Sequence, residues 1–234
     1  MTVMLPGNAV EMCSASVLKP RASASLQGGR RGDALFLCEE CDMIYQTEQA
    51  GGKETEMKEL YFVRHGESLW NLEDKICGAT DAPLTEKGHE QAVKTGKVIA
   101  ESGIRADLIL YSPLQRASDT ARHISEITGI PAKMEPRLIE QNFGSWEGTS
   151  PRKSEAFQKA KQNFICSYGS GESMFRVAQR IYNLLDELKD DERTCILVAH
   201  NGIARFIKSY FQDMKNEEFA AFGVNNCEVC RFQF

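Results

Sequence analysis

The sequence predicts an α/β fold, a mainly parallel sheet with helices on both faces. Three observations carry this. From Met57 onward, short apolar strands and amphipathic helices alternate almost without pause. Leu60–Val63 and Cys195–Ala199 (C-I-L-V-A) are apolar without a break, as suits strands covered on both faces rather than one. Met174, Val177, Ile181, Leu184, Leu185 and Leu188 recur at helical spacing and mark one apolar stripe.

Taken in order, Leu60–Val63 is the first strand, bounded by charge on both sides. Thr85 opens T-E-K-G as an N-cap, and the helix behind it runs through about Glu101 until Gly103 closes it. Leu108–Tyr111 is a second buried strand. Pro113 opens a helix through about Thr128, closed by Gly129 with Pro131 just beyond. Ala132–Met134 is a short third strand. The Met174–Leu188 stripe makes the next helix, Cys195–Ala199 the most apolar strand, and Ile203–Phe211 a further helix. The segment holding Cys227 and Cys230 reads as a strand.

The stretch before Met57 has no sustained period and carries Gly, Ser, Ala and Arg in loose clusters, so residues 1–56 are expected to be a disordered extension ahead of a domain at 57–234. A transit peptide would fit its Ser and Arg, but Glu11 and the later acidic residues fit that poorly. Cys38 and Cys41 have C-x-x-C spacing, yet a zinc site needs about four ligands and no companion pair is near. Met57 begins a tract (M-K-E-L-Y-F-V-R-H-G) that reads as a complete N-terminal first strand. Gly51-Gly52-Lys53-Glu54 before it is compatible with purine-rich codons resembling a ribosome-binding site. The expectation is therefore a start codon assigned too early; a nucleotide sequence without that purine run would sink it.

Composition narrows the function. A formal net charge of −5 offers no general basic face for a nucleic acid, although a few arginines in one pocket can still attract a small phosphate ester. No apolar run is long enough to span a bilayer. Eight cysteines in 234 residues are too sparse for a disulfide scaffold, and reduced thiols in a cytoplasmic protein are expected. Oligomeric state is not legible.

In parallel sheets, ligands bind beyond the carboxyl ends of the strands. Arg64-His65 follows the first strand, Ser112-Pro113 and then Arg116 follow the second, and His200-Asn201-Gly202 follows the Cys195–Ala199 strand. A histidine at one strand end has a structural explanation, and an arginine in a first helical turn is usually a solvated charge. Two of the four histidines and two arginines at one rim call for a common purpose.

Four tracts in this order, R-H-G-E (Arg64–Glu67), S-P-L-Q-R-A (Ser112–Ala117), L-I-E-Q-N-F-G-S-W-E-G (Leu138–Gly148) and H-N-G (His200–Gly202), resemble the histidine phosphatase superfamily, which includes the cofactor-dependent phosphoglycerate mutases and many small phosphatases. The resemblance implies a phosphoglycerate mutase-like fold over nearly everything after Met57. It implies His65 as the nucleophile that becomes a phosphohistidine, and Arg64, Arg116 and His200 as clamps on the phosphoryl oxygens. It also implies Asn71 as a further phosphate ligand, with backbone amides around Gly66 and residue Asn201 beside it. Glu140 falls at the family's general acid, with Glu147 of W-E-G as a competitor. No metal and no cofactor are implied, and the partner expected is a small phosphorylated metabolite.

Within that family the W-E-G ending and the short stretch from Gly148 to Gly169–Ser173 resemble the phosphatase branch, because a mutase must enclose its phosphoenzyme away from water. A mutase-type phosphotransferase is the alternative, and a catalytically dead phospho-ligand module is a third reading that the retained His65, arginines and acid disfavour. Trp70 and Trp146 are read as packing. Arg152, Lys153, Lys159 and Lys161 are read as a solvated helix face rather than a second anion site.

Overall fold

A computed structural model of the chain describes residues 58–234. The extension at 1–56, the Cys38–Cys41 pair and the start proposed at Met57 lie outside the described residues.

Five strands form one sheet in the order β3-β2-β4-β1-β5. They are β1 (Glu59–Arg64), β2 (Leu108–Tyr111), β3 (Ala132–Met134), β4 (Cys195–Ala199) and β5 (Val229–Gln233). The first four pair in parallel, and β5 lies antiparallel against β1 at the edge. β4 is buried along its whole length because β1 and β2 flank it and helices cover both faces. Side chains along each strand alternate between two cores, as the two-residue period of a strand requires. Leu60, Phe62, Leu110 and Leu197 join helices α5 (Met174–Asp190) and α6 (Asn201–Phe211). Tyr61, Val63, Ile109 and Ile196 join α2 (Glu86–Glu101) and α3 (Gln115–Thr128). All six residues of the Met174–Leu188 stripe are buried, each worth roughly 1.5–3 kcal/mol of transfer free energy.

The helix ends follow local chemistry. Thr85 caps α2 by accepting from the Gly88 amide at 3.0 Å. Gly129 ends α3 in the left-handed conformation, with φ 74°, and returns its amide to Ser125 O. Pro113 does not open α3. The helix begins at Gln115 after Leu114, which has no side chain to offer as a cap. The cap comes from elsewhere, since both Asp81 carboxylate oxygens accept from the Gln115 amide at 2.9 and 3.1 Å.

Five further elements complete the described residues. They are α1 (Leu69–Leu72), two 3-10 turns at Pro136–Leu138 and Gly144–Trp146, α4 (Glu155–Ala160), and α7 (Asn216–Ala221). β5 starts two residues later than the Cys227–Cys230 spacing suggested, because Cys227 takes a positive φ of 60° and turns the chain back toward β1. Among the described residues no helix is long and apolar enough to cross a membrane.

Candidate active site

The order β2-β4-β1 places the carboxyl ends of three neighbouring strands side by side. Arg64 pairs with Ala199 and Tyr111 with Val198, so His65, Ser112 and His200 leave the sheet at nearly one level. Backbone bonds hold that level: the His65 amide donates to Ala199 O and the Ser112 amide to Val198 O. The His65 and His200 ring centroids stand 5.1 Å apart.

His65 is buried, and its Nδ1 lies 2.7 Å from Gly66 O. A carbonyl only accepts, so Nδ1 carries the proton and Nε2 keeps its lone pair. Burial first, then the charges of Arg116 and Arg64, hold the imidazolium form well below its ordinary range. A neutral ring with a free Nε2 is a nucleophile in the protonation state it needs.

His200 is fully buried, with Nε2 2.7 Å from Ser112 Oγ, and that hydroxyl also accepts from the Leu114 amide at 3.4 Å. The hydroxyl proton then goes to Nε2, which leaves the His200 proton on Nδ1, a buried atom without a partner. Burial, then Arg116, keeps this ring neutral too. Arg64 Nε and Arg116 Nε are likewise buried and unpartnered. Buried donors are normally satisfied, so three unpartnered ones near the His65 ring form a donor set suited to an oxyanion.

The rest of each guanidinium is occupied. Arg64 Nη1 donates to Val224 O at 2.6 Å. Arg116 is fully buried and donates to Gly78 O at 2.8 Å and Thr80 O at 3.1 Å, so it also holds the Ile76–Asp81 loop. Glu147 grips the other side of that loop, accepting from the amides of Ala79, Thr80 and Phe143 at 2.8–2.9 Å and from the Thr80 hydroxyl. Its oxygens are thus spent on a latch. Glu140 is different: it is 5% exposed, and each oxygen accepts one amide at 2.8 Å, from Gln141 and from Gly202 at the start of α6. Each oxygen keeps a second lone pair for a proton. A Cβ at Gly202 would lie 2.2 Å from Glu140 Oε1, so any larger residue there would displace the carboxylate.

Arg64, His65, Arg116, Glu140 and His200 are therefore brought together. Gly66, Asn71 and Asn201 are each tied into the framework, the two asparagines through Oδ1, which leaves their NH₂ groups as donors. The Gly66 amide donates to Thr120 Oγ1, and a Cβ at Gly66 would strike Gly88 O at 2.3 Å. Asn71 Oδ1 accepts from the Ser68 amide in a capping box and from Asn226, whose amide also holds His65 O. Asn201 Oδ1 accepts from the Val224 amide. Sequence reasoning missed Ser112 as the group that orients His200, and Asp81 and Glu147 as the loop's anchors. The only signal for the latter two was their acidic character in otherwise neutral tracts.

Residues 60–234 match the profile of the histidine phosphatase superfamily (branch 1). The chain belongs to that superfamily. Among curated relatives, a 2,3-bisphosphoglycerate-dependent phosphoglycerate mutase of Bartonella tribocorum is 30% identical over 68% of this chain and 84% of its own length. "Probable phosphoglycerate mutase GpmB" of Erwinia tasmaniensis is 31% identical over 75% of this chain and 84% of its own. Among solved structures, a mycobacterial glucosyl-3-phosphoglycerate phosphatase is 27% identical with a TM-score of 0.64, covering 74% of this chain and 89% of that one. A phosphoserine phosphatase variant from Entamoeba histolytica, in complex with phosphoserine, is 27% identical with a TM-score of 0.65, covering 76% and 91%. This member of the superfamily thus has mutases among its sequence relatives and phosphatases among its structural neighbours.

The two depressed histidines predict how this superfamily member responds to acid. Above about pH 6.5 both rings are neutral in the folded and the unfolded chain, so they contribute no pH dependence. As pH falls below 6.5, the unfolded chain takes up protons that the buried rings refuse, and stability drops. Urea midpoints at pH 7.5 and 5.5 are expected to show this loss, with a smaller loss in His200→Gln. An equal loss in that variant would show that His200 does not contribute.

Proposed function

We propose that this protein is a phosphomonoester hydrolase that works through a phosphohistidine on His65. The observation that carries the reading is the trio of orphaned buried donors, Arg64 Nε, Arg116 Nε and His200 Nδ1, around a neutral His65 whose Nε2 is free.

The ester's phosphoryl group binds among those donors, which match its equatorial oxygens. His65 Nε2 attacks phosphorus in line, and the bond to the alcohol oxygen breaks. Glu140, in its protonated form, delivers a proton to that departing oxygen. Water then enters, Glu140 takes its proton, the N–P bond breaks and inorganic phosphate leaves. His200 becomes the imidazolium when the dianion arrives, because the opposing charge reverses the effect of burial. Arg64 and Arg116 supply the positive charge from the chain itself. Among the described residues no three of His, Cys, Asp or Glu gather as metal ligands, and turnover is expected to persist in EDTA.

Hydrolysis rather than transfer is favoured by the cap. Between Gly148 and Ser173 the only helix is α4, of six residues, and most side chains of the segment stand exposed or half-exposed, a thin cover for a phosphoenzyme that has to exclude water. The mutases among the sequence relatives favour the second reading, a phosphoglycerate mutase-type phosphotransferase. Phosphate release from p-nitrophenyl phosphate, set against isomerisation of 3-phosphoglycerate primed with bisphosphoglycerate, separates them. Steady phosphate release with slow isomerisation is expected. Efficient isomerisation with negligible hydrolysis would replace the first reading by the second.

A further inference from the structure

Next to Glu140 lies a second group of polar side chains that the phosphoryl chemistry does not use. Arg205 sits in the apolar tract I-A-R-F-I of α6, one helical turn after Gly202, and is 2% exposed. Its Nε and Nη1 are buried without partners, and among the described residues it forms no hydrogen bond and no ion pair. Its guanidinium carbon lies 5.8 Å from the centre of the Phe219 ring, so an aromatic face covers one side of the plane. Lys161, just after α4, was read as part of a solvated face. Its Nζ instead turns inward to Ala220 O at 3.2 Å, beside Phe219, with Gln158 Oε1 at 3.5 Å. Both acceptors are neutral. Burial, and after it the charge of Arg205, pull the Lys161 ammonium down to about 7. The Tyr168 hydroxyl, also buried, has only the Gln141 side chain beside it, and Gln141 Oε1, of the residue following Glu140, has no partner.

Placing a half-buried ammonium beside a fully buried guanidinium is a costly arrangement for a fold to hold. Glu140 offsets it in part and without contact, because its hydrogen bonds come from backbone amides and not from Arg205 or Lys161. Unpaired guanidinium edges, an ammonium and a hydroxyl make a donor set that a planar or tetrahedral oxyanion would complete. The cluster adjoins the carboxyl that protonates the departing oxygen, which puts it on the side of the alcohol rather than of the phosphoryl group.

We propose that Arg205 and Lys161, with the Tyr168 hydroxyl, form a subsite for a second oxyanion, a carboxylate or a phosphate, carried by the alcohol half of the ester. The proposal deepens the phosphatase reading and rests on it for the assignment of the alcohol side.

The test compares three esters of one chain length: propyl phosphate, the phosphate ester of 3-hydroxypropanoate, and propane-1,3-diyl bisphosphate. Affinity is measured by calorimetry on the His65→Ala protein, where nothing turns over, and kcat/KM on the unsubstituted protein. At least one of the two esters that carry a second oxyanion should bind about tenfold or more tightly than propyl phosphate, and which of them gains identifies carboxylate or phosphate. Arg205→Met should bring that ratio close to one, and Lys161→Met should lower it by a smaller factor. If Arg205 served only to support Glu140, its loss would slow all three esters alike and leave the ratio intact. Lys161→Met stands at the rim of the fold and keeps the test alive should Arg205→Met fail to fold. Equal binding of the three esters, or a ratio unmoved by both substitutions, would overturn the subsite. Selective binding without turnover of any ester would uphold the subsite and count against the phosphatase reading instead.

Discussion

His65→Ala is expected to abolish turnover, by at least about 10⁴-fold in kcat, while the protein still folds and still binds phosphate. The size follows from the mechanism. No other nucleophile stands in line with the three orphaned donors: His200 Nε2 is tied to Ser112, and Glu140 is held by two amides. Water could attack directly, but nothing in the site activates it for attack on the bound ester, since Glu140 is needed on the departing oxygen. Folding should survive because His65 is neutral and makes one side-chain hydrogen bond, to Gly66 O. Its main-chain position is kept by Ala199 O and Asn226, which the substitution leaves in place. A thermal midpoint within about 5 °C of the parent corresponds to a change of one to two kcal/mol for a domain of this size. Acid-labile, alkali-stable phosphate on the parent protein, absent from His65→Ala, is the companion measurement. Retained turnover in the variant would exclude a phosphohistidine on His65.

Much of this site was readable because parallel strands end abruptly. Apolar runs such as C-I-L-V-A stop at a histidine, and the rule that ligands gather beyond carboxyl ends turned three such stops into one rim. The caps were readable for a similar reason: Thr85 and Gly129 act on their own helix within three or four residues. What stayed hidden depends on neighbours far along the chain. Pro113 looked like a helix start, but the cap that α3 uses comes from Asp81, 34 positions earlier. Asn71 carries the right side chain for a phosphate ligand, and its oxygen is held by Ser68 and Asn226, of which only the second is distant, so the fixing of its NH₂ group was not legible in the sequence. Lys161 was indistinguishable from Lys153 and Lys159 until α7 presented Ala220 O beside it, 59 positions away. Arg205 did leave a mark, since an arginine in the middle of I-A-R-F-I breaks an apolar pattern. A charge in such a stripe asks either for a partner or for a ligand, and here no partner is found among the described residues.

Glu140→Gln separates the two halves of the reaction and is the second large effect. With an alkyl phosphate, the departing alkoxide is a poor leaving group and needs the proton, so kcat should fall about 10²–10⁴-fold. With p-nitrophenyl phosphate, the departing phenolate is stable without a proton, so the first half of the reaction should be nearly spared. The second half still requires a base for the attacking water, and the side-chain carboxamide that Glu140→Gln introduces cannot supply one: it accepts one backbone amide through its oxygen but faces the other with an NH₂ donor. The phosphoenzyme should therefore accumulate, seen as a burst of p-nitrophenol followed by a slow steady rate, and as stoichiometric acid-labile phosphate on the protein. The same substitution sets a donor against either the Gln141 or the Gly202 amide, now 2.8 Å from the carboxylate, so a loss of stability of about 1–3 kcal/mol is expected alongside. Glu147→Gln is the control. Its carboxylate accepts from three backbone amides of the loop and its anchor, so it too should cost stability, but without a burst. A burst in Glu147→Gln and none in Glu140→Gln would exchange the roles assigned to the two glutamates.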